Sequence, residues 1–151
     1  MYAILFRNII MFRKTFGGLI MKCDSMNIVT ATSYMARDIA IDVIHSGHFI
    51  PDEYIVKYNL GKGLPNPDEM SEDDYPLIFK GKYDGRPFEL RVFCLTAGYG
   101  GSGPHDMFAL LDSAGFPVDE EAILTPKWSH DRQIMIKGDK FGMKDIWNSS
   151  F

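Results

Sequence analysis

The chain has 151 residues and a formal net charge of −4, and 46% of its residues are hydrophobic. This length suits one domain with a contiguous core, and the 13% aromatic content excludes intrinsic disorder, because disordered chains have few large apolar side chains to bury. The acidic balance makes nucleic acid an unfavourable partner, because binding its phosphates needs a basic surface. Cys23 and Cys94 are too few for the disulfide framework of a secreted protein, so we expect a cytoplasmic protein.

The first 25 residues differ from the rest, since they are apolar and basic. Basic residues interrupt every apolar run before it reaches the roughly 18 residues of a membrane-spanning helix, so we expect no membrane span, and an interfacial helix or an added strand instead. Gly17-Gly18 lies shortly before Met21, and two glycine codons can spell a ribosome-binding sequence. We therefore hypothesise that residues 1–25 are an extension outside the native start, ahead of a single α+β domain at 26–151.

The clearest predicted helix covers residues 33–46. Thr32 or Ser33 can cap its start, and Gly47 can adopt the left-handed conformation that ends a helix. Its apolar residues recur at the spacing of one buried helix face, which predicts a surface helix packed on a sheet. These residues are Ala36, Ile39, Ala40, Val43 and Ile44.

Residues 51–59 are predicted to form a short second helix, because Pro51 suits a first helical turn and Asp52 and Glu53 suit its positive end. The glycine- and proline-rich stretch at 60–76 is predicted to be an exposed loop. Its acids are either a solvated surface or the contact surface for a partner protein. They are Asp68, Glu69, Glu72, Asp73 and Asp74.

A β-hairpin is predicted at 77–97 around the turn Asp84-Gly85, because this dipeptide tolerates the positive φ angles of a type I′ turn. A two-residue loop fixes the register, which gathers apolar residues on one face and opposite charges on the other. The predicted pairs are Tyr83 with Arg86, Gly81 with Phe88, Phe79 with Leu90, Leu77 with Val92, Lys80 with Glu89 and Ile78 with Arg91.

A glycine-rich loop follows the hairpin, and its G-x-G-x-x-G spacing before a helix is a setting in which backbone N–H groups bind phosphate. The preceding strand belongs to an antiparallel hairpin, which disfavours a dinucleotide fold, and a flexible turn into a capped helix is the simpler interpretation. For a ligand bound here we expect contacts from Gly98, Tyr99, Gly100, Gly101, Ser102, Gly103, His105 and Asp106.

Further along, a helix is predicted from Pro104 to a stop at Gly115, then a short helix at 118–124 and a strand at 132–137. Cys94 and His105 flank the glycine loop and could form a nucleophile and base, but Cys94 lies among predicted core residues, where an inert thiol is commoner. The histidines provide only two metal ligands with local spacing, so we expect no metal site and no cofactor.

Together these patterns predict an α+β fold with a small, mainly antiparallel sheet of three or four strands, built on the central hairpin and covered by two or three helices. The function favoured by the sequence is a small acidic binding or regulatory protein that acts through protein–protein contact. The alternative is a small enzyme or sensor that binds a phosphate-bearing ligand at 98–103 and the following helix N-terminus. Neither hypothesis assigns a catalytic residue.

Overall fold

The structure is a computed structural model, and it describes residues 4–5, 24–57, 71, 74–97, 101–124 and 133–149. These residues form one seven-stranded sheet and three helices. The strands are β1 Ile4–Leu5, β2 Asp24–Val29, β3 Phe49–Lys57, β4 Leu77–Tyr83, β5 Arg86–Val92, β6 Gln133–Asp139 and β7 Gly142–Ser149. The helices are α1 Ser33–His45, α2 Ser102–Ser113 and α3 Glu120–Leu124.

The strand order is β1-β2-β5-β4-β3-β6-β7. β2 and β5 pair in parallel, and the other neighbouring strands pair antiparallel. The predicted α+β class is confirmed. The prediction of a small, mainly antiparallel sheet needs correction, because the sheet is mixed and carries more strands than expected. The parallel pair arises because α1 carries the chain from β2 across the sheet to β3, which leaves the far edge of the hairpin to pair with β2.

The hairpin of β4 and β5 is confirmed, with all six of the predicted residue pairs. Asp84 and Gly85 have φ angles of 48° and 83°, as a type I′ turn requires. The second strand ends at Val92 instead of Ala97. Cys94 has a φ angle of 68°, which is incompatible with extended backbone and therefore stops the strand.

The predicted helix at 51–59 is wrong, because these residues belong mostly to β3. β3 pairs with β4 on one edge and with β6 on the other. Its register with β4 shifts between Pro51 and Glu53, and a proline without an N–H is tolerated at such an irregularity. Tyr54 and Val56 are fully buried beneath the helices. Strand pairing and burial thus override the local helix-start signal.

The main core lies between the helices and one face of the sheet. Phe116, just beyond α2, contacts the rings of Tyr54 and Phe79, with centroid distances of 5.0 and 6.0 Å. A smaller apolar cluster of Val29, Tyr75, Ile78 and Phe93 lies on the opposite face. The three helices therefore cover one face of the sheet only.

Four further predicted elements are confirmed with shifted ends: α1, α2, α3 and β6 lie where helices and a strand were expected. Most of the predicted exposed loop at 60–76 lies outside the described residues, and Tyr75 and Pro76 at its end are buried instead of exposed. β1 and the first residues of β2 come from the segment 1–25, and the proposed native start after this segment stays a prediction. Within the described residues, no helix is long and apolar enough to cross a membrane.

Candidate functional site

Two strand–helix units lie side by side in this fold. β2 leads into α1, and its parallel neighbour β5 leads into α2. The two helices run in the same direction, because Arg37 near the start of α1 contacts Asp106 near the start of α2, and His45 at the end of α1 contacts Ser113 at the end of α2. Both positive helix ends therefore lie together beyond the carboxyl ends of two parallel strands.

Polar residues gather where these two helices begin. We call them the helix-start cluster. Two of them, Thr30 and Asp106, are among the three polar or charged residues buried within the described chain. The polar side chains therefore mark this edge of the sheet as different from the apolar core beneath it. The cluster consists of Thr30, Thr32, Ser33, Arg37, Cys94 and Asp106.

Asp106 joins the two helices. The Ser33 hydroxyl donates to Asp106 Oδ2 at 2.5 Å, and Arg37 Nη1 donates to Asp106 Oδ1 at 2.7 Å. A hydrogen bond to Asp38 and the charge of Asp106 raise the pKa of Arg37, against the opposing effect of burial. The Asp106 carboxylate is thus paired, and it lies near the positive end of α2, where a negative charge is stabilised.

Cys94 and Thr30 lie at the strand ends of the cluster. Thr30 is fully buried, and its Oγ1 donates to the Thr32 carbonyl oxygen at 2.7 Å. Burial raises the pKa of the Cys94 thiol, and a hydrogen bond with Thr30 lowers it in part. A raised pKa keeps this thiol protonated near neutral pH, which argues against a nucleophile. His105 instead points its Nδ1 towards Glu120 Oε1 at 3.4 Å.

The starts of α1 and α2 lack side-chain caps. Thr32 occupies the N-cap of α1 but makes no capping hydrogen bond, and its buried Oγ1 has no hydrogen-bond partner among the described residues. Gly101 occupies the N-cap of α2 and has no side chain to offer. The first N–H groups of a helix need an external acceptor when no cap supplies one. An anion at this edge can be that acceptor.

The predicted ligand residues are only partly brought together here. Gly98, Tyr99 and Gly100 lie outside the described residues. Gly101 precedes α2, Ser102 is exposed in its first turn, and Gly103 is buried. The side chain of Asp106 accepts hydrogen bonds from Ser33 and Arg37 of α1, and its expected contact with a ligand stays a prediction.

Sequence reasoning missed the roles of Ser33 and Arg37 in this cluster. Thr32 and Ser33 predict only a helix cap, although several hydroxyl side chains before a helix are also a signal for a polar site. Arg37 gave no signal, because its partner Asp106 lies 69 positions away in the sequence.

The predicted partner-binding acids lie mostly outside the described residues. This holds for Asp68, Glu69, Glu72 and Asp73. Asp74 is described, and its Oδ2 accepts hydrogen bonds from the Ser71 backbone N–H at 2.8 Å and from the Ser71 hydroxyl at 3.3 Å. Contact with a partner through these acids stays a prediction.

A second polar cluster lies on the sheet face opposite the helices. Glu89 is buried, and its Oε2 accepts from Arg91 Nε and Nη2 at 3.0 and 2.8 Å. Lys80 Nζ lies 3.7 Å from Glu89 Oε1. We call these three residues the Glu89 cluster. In the described part of the chain, Asn27 Oδ1 and Tyr75 Oη are buried without a hydrogen-bond partner.

The described histidines do not assemble a metal site. His48 Nδ1 lies 2.8 Å from Asp84 Oδ1 at the hairpin turn, far from the helix-start cluster in the fold. No group of three or more His, Cys, Asp or Glu side chains within the described ranges is placed to hold a metal ion.

Comparison with protein-family models, with curated proteins and with solved structures finds no match for this chain.

Proposed function

We propose that the protein is a small binding protein that takes a phosphate-bearing ligand at the helix-start cluster. The observation that carries this proposal is the side-by-side start of α1 and α2 beyond the carboxyl ends of β2 and β5. Free N–H groups and the helix dipole favour an anion at one helix N-terminus, and two adjacent N-termini add their fields. The ligand is therefore expected to present its phosphate to both first turns.

Arg37 and Asp106 would shape the site in opposite ways. The Arg37 side chain is 31% exposed, and its described contacts use Nε and Nη1, so another N–H of the guanidinium can serve a ligand phosphate. Asp106 occupies the space between the helices with its own negative charge. A phosphate is thus expected to lie outside Asp106, at the exposed ends of the two helices.

Gly101→Asp tests this proposal. Aspartate is a favoured N-cap residue, so α2 should keep its stability while the new charge repels a phosphate. We expect inorganic phosphate or one of a panel of nucleotides to raise the Tm of the wild type by about 5 °C or more at a hundredfold excess over Kd. The Gly101→Asp protein should show no such rise.

Pro117→Asp is the matched control, because it adds the same charge at an exposed position beyond the other end of α2. This control should respond to ligand like the wild type. An equal response of all three proteins would contradict binding at the helix starts. A wild type that none of the probes stabilises at millimolar concentration would contradict the proposed function itself.

Protein–protein contact is a second candidate, and the turn between β6 and β7 favours it. Phe141 is 94% exposed at this turn. Its backbone N–H donates to Asp139 Oδ1 at 2.9 Å, and Lys140 Nζ donates to the Ala114 carbonyl oxygen at 2.9 Å. The turn is therefore held in place from two sides. Binding of a partner to the Phe141 ring would cost little conformational entropy of the turn.

Affinity capture from a host lysate compares two surfaces for this second candidate. Phe141→Ser should lose the captured protein if the ring is the contact, with a change in stability within about 0.5 kcal/mol because the ring is exposed. A variant with Asn or Gln at four of its five acids, Asp68, Glu69, Glu72 and Asp73, tests the predicted acidic surface. Retention of the same proteins by both variants would contradict both surfaces. The expected cytoplasmic location of the protein also stays a prediction.

A further inference from the structure

We draw no further inference here: the strongest candidate, the Glu89 cluster with the neighbouring Asn27 and Tyr75 side chains on the sheet face opposite the helices, carries no ligand argument because nothing in the described residues shows what covers it.

Discussion

On the face of the sheet that the helices cover, Tyr54 and Phe79 meet Phe116 through their rings. On the opposite face, the buried carboxylate of Glu89 lies between two cations, Arg91 and Lys80. Apolar ring packing stabilises the first face, whereas on the second face paired charges lie beside a smaller apolar cluster. The two faces should therefore be sensitive to different substitutions. Added volume destabilises a packed core, whereas the loss of one partner destabilises a charge cluster.

Added volume on the helix-covered face should have the largest effect. A Cβ atom at Gly138 would lie 2.3 Å from Tyr54 Oη and 2.4 Å from Tyr54 Cζ. Tyr54 is fully buried, so its ring has no open space to move into. We expect Gly138→Ala to lower the free energy of unfolding by about 3 kcal/mol, measured by urea denaturation.

Tyr54→Leu is the background that sharpens this prediction, because leucine lacks the atoms that the new Cβ would meet. Adding Gly138→Ala to Tyr54→Leu should cost clearly less than adding it to the wild type. Equal costs in the two backgrounds would show that Gly138 is needed for a reason other than contact with Tyr54.

Loss of one charge on the opposite face should have a smaller effect. Glu89→Gln keeps the shape of the side chain but removes the charge that faces Arg91, whose side chain is only 20% exposed. We expect a loss of about 2 kcal/mol in the free energy of unfolding, because a largely buried cation is left without its anion.

Joint replacement separates this charge effect from packing. The double variant Glu89→Met and Arg91→Met removes both charges. Its free energy of unfolding should lie within about 1 kcal/mol of the wild-type value, since well-packed apolar residues can replace a buried ion pair. A double variant that is less stable than Glu89→Gln would argue that the charges themselves are required on this face.

The parts of the fold that depend on local signals could be predicted from the sequence. The turn at Asp84-Gly85 and the alternation of side chains fixed the hairpin register. The stop of α2 was equally local: Gly115 has a positive φ angle, and the Phe116 N–H donates to the Leu111 carbonyl oxygen at 3.1 Å. Both signals lie within a few residues of the structure that they specify.

The parts that depend on distant residues could not. β3 carries a helix-start signal at Pro51, but its state is decided by β4 and β6, which lie on its two sides. The parallel pairing of β2 with β5 left no signal in either strand. The candidate site was found only in part for the same reason, because Ser33 is 73 positions away from its partner Asp106.

The smallest expected effect on the free energy of unfolding comes from a rise in pH, which should act on the helix-covered face through Tyr54. Burial, and then the charge of Asp139, raise the pKa of Tyr54 from its ordinary value of 10.0 to about 12. Below pH 10 this tyrosine is protonated in both the folded and the unfolded chain and makes no difference to stability. Between pH 10 and 12 only the unfolded chain loses the proton, so the free energy of unfolding falls by about 1.4 kcal/mol per pH unit.

Tyr54→Phe removes the titrating group and retains the ring on the helix-covered face. At pH 7 the variant should be as stable as the wild type or slightly more stable, because the buried Tyr54 hydroxyl has no hydrogen-bond partner in the described part of the chain. From pH 8 to pH 11, urea denaturation should show a loss for the wild type that is about 1.4 kcal/mol larger than for Tyr54→Phe. If Tyr54→Phe and the wild type lose stability in parallel up to pH 11, the Tyr54 hydroxyl is hydrated in solution, and the helix-covered face is less tightly closed than its ring contacts indicate.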